Sequence, residues 1–190
     1  KYAAGLLMAA ALSLGLNNLI IIGNLSVMSE SYEATMDILY SAPLMVQIIS
    51  LAVLVPVSEE LVFRGLLFKR LRERGTYIQA ALYSSVVFGV MHGNLIQILY
   101  GFTLGMMLSY LCEKYGSVIA PIAAHIVMNL LSVLATEYNL ADWMMESNMR
   151  IGLITIGCAF VASTMFVLVQ RIEEKPDAAG ASEENKEVVV

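Results

Sequence analysis

Apolar residues in this chain run in long unbroken stretches, at neither strict helical nor alternating intervals. Six such stretches stand out, at residues 2–23, 38–68, 77–91, 95–112, 118–135 and 151–169. A helix rises about 1.5 Å per residue and needs about 20 apolar residues to cross a hydrocarbon core about 30 Å thick. The pattern therefore predicts an all-α fold, a polytopic transmembrane helix bundle of about six spans. Residues 1–170 read as one transmembrane domain, with a core that carries the polar motifs at about 38–136 and an acidic, disordered tail at 171–190. The second stretch is long enough to tilt or to extend beyond the bilayer.

Breakers fit this map. Gly93-Asn94 forms a short turn between the third and fourth stretches, and Gly116-Ser117 precedes the fifth, whose Pro121 is tolerable in a first turn. Pro56 lies inside the second stretch, where it frees a carbonyl and predicts a kink. Gly101 and Gly105, four apart, have the spacing of a small-residue packing face, expected within one bundle rather than between subunits.

The links set an orientation. Taken alternately, one side holds Lys1, Lys69, Arg70, Arg72, Arg74, Lys114, Arg171, Lys175 and Lys186, nine of the eleven basic residues. The other side holds residues 29–37, the turn at 92–94 and residues 137–150, with Arg150 alone among the basic residues. The positive-inside rule assigns the first side, and with it the C-terminus, to the cytoplasm of a multi-pass membrane protein.

Composition agrees. Hydrophobic residues are 58% and charged residues 14% of the 190, and the net charge is -5. Mean hydropathy is +0.73. No basic face suited to nucleic acid is present, and membrane lipid is the expected surround. The opening residue is Lys1 rather than Met, which predicts a piece of a longer protein. The two cysteines, Cys112 and Cys158, lie in apolar stretches and read as buried free thiols.

Charge inside a span is costly, about 2.5–3.5 kcal/mol at mid-helix on insertion scales, so the ionisable residues that remain there direct attention. The second stretch holds Glu59, Glu60 and Arg64. Glu60 and Arg64 are four apart on one face, in the favourable acid-before-base order, and can neutralise each other. Glu59 sits about 100° around the helix and has no cation of its own, so it is free to accept a proton, as a general base must. The third stretch ends on His92, and the fifth holds His125 and Asn129, four apart on one face. These two histidines are the only ones in the chain. Counted from the basic loops, Glu59 and His125 both fall about 15 Å deep. His92, eighteen residues from Arg74, comes out about 27 Å deep, which agrees only if residues 75–79 lie along the interface or the helix tilts strongly.

Two chemistries suit these residues. In one, Glu59 deprotonates a water with help from His92, while His125 and Asn129 donate to the developing oxyanion. In the other, His92, His125 and a carboxylate such as Glu60 bind a zinc ion that acidifies its bound water. No HExxH is present, so one helix cannot supply the zinc spacing.

At these residues the sequence resembles the CPBP family, the CAAX proteases and bacteriocin-processing enzymes also called Abi, which includes the Ras-converting CAAX endopeptidase. Its motifs EExxxR, FxxxH and HxxxN/D read here as Glu59-Glu60 with Arg64, Phe88 with His92, and His125 with Asn129, in order, on separate hydrophobic stretches. The resemblance covers about seventy residues, and each motif alone is weak while the ordered set is specific. It implies an intramembrane endopeptidase acting on a peptide or protein substrate. Glu59 would activate water, Arg64 would pair with Glu60, His92 would assist the base or bind metal, and His125 with Asn129 would form the oxyanion hole. Members are described as glutamate-dependent and as metal-dependent, so zinc or no cofactor are both open. Two other readings use the same residues: a non-catalytic membrane protein for bacteriocin self-immunity or scaffolding, and a proton or ion transporter, since buried Glu and His also build relays.

Overall fold

The computed structural model describes residues 2–25 and 30–172 of the chain. The expected acidic tail lies almost wholly outside the described residues. All regular structure among them is helical. In chain order these helices are α1 (Ala3–Ile22), α2 (Glu30–Tyr40), α3 (Leu44–Arg72), α4 (Tyr77–Val90), α5 (Leu95–Tyr115), α6 (Ile119–Glu137), α7 (Leu140–Met145) and α8 (Asn148–Gln170). Five of them, α1, α3, α5, α6 and α8, are long and apolar enough to cross a membrane, and α4 is a shorter apolar helix. The chain is thus an all-α polytopic bundle.

Both links on the sparsely basic side and the second stretch differ from the hydrophobic map. Residues 30–37 are helical in α2, residues 140–145 form α7, and the second stretch does not begin at 38. Pro43 disfavours helix at the residue before it, and the chain breaks at residues 41–43 before α3 starts. Residues 38–40 therefore belong to α2.

Helix α3 is the structural centre. Pro56 does not break it, and the backbone instead widens to π geometry at Ile48–Leu54, just before the proline, and again at Leu61–Phe68. The Val55 N–H reaches back five residues to the Ser50 carbonyl. In that register the next carbonyl, Leu51, awaits an N–H from residue 56, and proline has none.

Helices α4 and α5 form a tight antiparallel hairpin. Thr76 caps α4 in a reciprocal capping box with Gln79, so the helix starts at Tyr77 and Gly75 lies outside it. That shortens the path to His92 to fifteen residues, about 22 Å, which eases the depth discrepancy. Asn94 then caps α5 by accepting from the Gln97 N–H. Where the two helices cross, a Cβ on Gly89 would lie 2.7 Å from the Ile98 carbonyl oxygen, and one on Gly101 would lie 3.4 Å from the Gly89 Cα. Gly101 and Gly105 thus pack within the bundle, against α4.

The core sits between α1, α5 and α6 and is built from Met8, Ala9, Leu104, Leu108, Leu111, Ala124 and Met128. Large apolar side chains point outward instead, such as Phe160, 72% exposed on α8. Small and polar residues at the helix contacts, such as Gly89, Gly101, Ser84 and Ser109, with many large apolar ones outside, are what lipid favours.

Candidate active site

Glu60 and Arg64 are both fully buried, with Arg64 Nη1 donating to Glu60 Oε1 over 2.8 Å. The Arg64 Nη2 donates to the Gly105 carbonyl on α5 at 3.0 Å. The guanidinium also lies 4.5 Å above the Phe88 ring centroid of α4. One side chain of α3 thereby ties that helix to α4 and α5.

His125 on α6 completes the cluster. Its Nδ1 lies 2.8 Å from Glu60 Oε1. A carboxylate between a guanidinium and an imidazole acts as acceptor, so Nδ1 carries the proton and the tautomer follows from the partner. The other ring nitrogen, Nε2, points to Glu59, whose Oε2 is 3.7 Å away. That is too long for a hydrogen bond, but two hydrogen-bond lengths span more than 3.7 Å, so one water oxygen can touch both atoms. Glu59 keeps 26% of its side chain exposed while Glu60 keeps none. The two adjacent carboxylates are therefore separated in role by their positions around α3: Glu60 is committed to Arg64 and His125, and Glu59 is open.

His92 stands in the turn after α4. Its Nδ1 is 2.8 Å from the Phe88 carbonyl, which can only accept, so Nδ1 is again the protonated nitrogen and Nε2 keeps its lone pair. The Phe88 ring packs edge-on against both imidazoles, with centroids 4.9 Å from His92 and 5.9 Å from His125. The end of α4 therefore does reach the level of His125. Asn129 lies one turn beyond His125 on α6, and its Nδ2 donates to the Leu51 carbonyl at 2.8 Å. That is the carbonyl for which Pro56 supplies no N–H.

Thus Arg64, His92 and His125 pack around Phe88, Glu60 joins Arg64 to His125, Glu59 faces His125, and Asn129 borders the group with one amide hydrogen on α3. Phe88 was named from the sequence only as a motif residue without a role, and the Gly105 carbonyl was not singled out as part of the cluster. The signals for them were present: Phe88 is four residues before His92, and Gly105 belongs to the small-residue pair on α5. For zinc, Glu60 Oε1 is taken, since it accepts from Arg64 and His125, while Glu60 Oε2 has no hydrogen-bond partner, and among the described residues no three His, Cys, Asp or Glu side chains converge as a ligand group. A guanidinium against the carboxylate also opposes a dication there.

Residues 41–131 match the model of the family described as "Type II CAAX prenyl endopeptidase Rce1-like". That range runs from just before α3 into α6 and contains every residue of the cluster. The chain is also 30% identical over 129 residues to the Bacillus subtilis (strain 168) protein named "Putative membrane peptidase YdiL", covering 68% of this chain and 52% of that one. It therefore spans about half the length of that curated relative. No solved structure matches.

Proposed function

We propose that this chain, which belongs to the CPBP family of CAAX proteases and bacteriocin-processing enzymes, is an intramembrane endopeptidase that hydrolyses a peptide bond with water held between Glu59 and His125. The observation that carries the reading is the 3.7 Å gap between Glu59 Oε2 and His125 Nε2, beside a Glu60 carboxylate that is already engaged.

In this reading Glu59 takes a proton from the water as its oxygen bonds to the substrate carbonyl carbon. Glu60 orients His125 through Nδ1, so that Nε2 faces the water and the developing oxyanion. Asn129 spends one amide hydrogen on Leu51 and has a second to offer the same oxyanion. The proton held on Glu59 then passes to the leaving amine as the C–N bond breaks. His92, with a free Nε2 lone pair, assists the base. Arg64 touches no reacting atom and holds Glu60. The reading is metal-free, and it puts the protein in a prokaryotic plasma membrane with the C-terminus cytoplasmic, as the basic loops favour.

The test is cleavage of a peptide library by purified protein in detergent, comparing wild type, Glu59→Gln and wild type with a chelator. Cleavage lost in Glu59→Gln and kept with chelator supports the reading. Loss with chelator replaces it with a metalloprotease. Equal cleavage by both proteins refutes the role of Glu59, and no cleavage by either favours the non-catalytic or ion-pathway readings.

A further inference from the structure

A hydrolase buried in a bundle needs a route for water, and the bundle has a cavity away from the basic loops. A cavity of about 280 Å³ lies between α1, α2, α6 and α7. Asn17 and Asn18 of α1, Tyr40 of α2, Ser132 and Thr136 of α6, and Asp142 of α7 are in its wall. A water takes about 30 Å³ in the liquid, so the cavity has room for several, and these polar groups, set among apolar ones such as Ile21, Met36 and Leu131, offer such water its partners.

Two observations connect it to hydration and to the site. Asn18 is fully buried, its Nδ2 is held by Thr155 Oγ1 at 3.1 Å, and its Oδ1 has no donor among the described residues. Asn18 contributes to the cavity wall, and an unpaired buried amide oxygen beside such a space favours a nearby water. On α6, His125, Asn129, Ser132 and Thr136 follow one another at intervals of four, three and four, so they share one face. The cavity begins at Ser132, three residues or about 4.5 Å of rise beyond Asn129. Asn129 stands between the cavity and His125, pinned to Leu51.

We propose that this cavity is the water compartment of the hydrolytic site, filled from the end of the bundle opposite the basic loops, with the Asn129 amide as the partition through which water passes to Glu59 and His125. The inference rests on the hydrolase reading, and it assigns the supply of the co-substrate to polar residues outside the motif set.

Hydroxyl-radical labelling in detergent tests it without needing a substrate. Met144 lines the cavity and is 3% exposed, and Met8 in the core is 4% exposed and does not. Met144 should oxidise several-fold faster than Met8, and Ala135→Phe, which fills the cavity, should bring the two rates together. In the cleavage assay the same variant should lower kcat several-fold with KM unchanged. If Ala135→Phe does not fold, Ser132→Leu takes its place. Equal labelling of Met144 and Met8 in active wild type overturns the inference alone, as does a filled variant that loses the labelling yet keeps wild-type kcat. A wild type that labels at Met144 but cleaves nothing overturns the hydrolase reading, and this inference with it.

Discussion

Replacing Arg64 by Met should destabilise the bundle far more than losing an ion pair usually does. Arg64 and Glu60 are each 0% exposed, so removing the cation leaves a carboxylate in a low-dielectric interior with only His125 Nδ1 as partner. Breaking a buried pair from one side costs about 3–5 kcal/mol, against about 0–1 for an exposed pair. The Gly105 carbonyl also loses its Arg64 donor, but as an α-helical carbonyl it adds little. In lipid the unfolded reference state also finds polar partners, so the lower end applies, about 3 kcal/mol. Replacing both residues by Met should recover most of the loss, since an apolar pair of similar volume is often neutral. Reversible unfolding of wild type, both single variants and the double variant in mixed micelles gives the coupling directly. A cost below about 1 kcal/mol for Arg64→Met would refute the claim that the pair is sealed from water.

Three further outcomes follow from the geometry. Glu59→Gln should keep the wild-type unfolding midpoint while lowering kcat by about 10²–10⁴, the usual share of a general base, read in the cleavage assay. Gly105→Ala should cost about 1–3 kcal/mol in the same micelle titration, because its Cβ would sit 3.0 Å from the Ser85 Cβ and 3.1 Å from Arg64 Nη2. Asn129→Leu should cost about 1–3 kcal/mol by stranding the Leu51 carbonyl, and adding Pro56→Ala should restore part of that by supplying an N–H.

How much of this was legible beforehand varied with the physics. Five spans and α4 were readable to within a few residues at most ends, because a run of apolar residues is a direct record of lipid contact. The ordered Glu, His and Asn pattern located the cluster for the same reason, since ionisable groups in a span are rare enough to stand out. The helical start of the chain after the first span was missed because α2 has mixed polarity and buries no residue, so hydropathy treats it as a link. The π register in α3 was also missed. Pro56 announced a disturbance, but whether a helix answers by bending or by widening depends on whether another helix offers a donor to the freed carbonyl, and Asn129 does so across 78 positions.

That last contact bears on how the site is held. In the proposed mechanism the motif residues divide into those that face the reaction and those that hold the frame, and the division does not follow the motifs. Glu60 and Arg64 lie in the same short motif as Glu59, yet their polar atoms bond to His125, to Gly105 and to each other. Asn129 belongs with His125 by spacing, yet its observed bond goes to α3. A helix turn of about 100° per residue is enough to produce this: neighbours in sequence face different helices, and each helix needs one polar tie to hold the next in a medium where apolar contact alone does not favour association. Glu59 is what remains when those ties are made, the carboxylate beside the cluster that no frame bond has claimed.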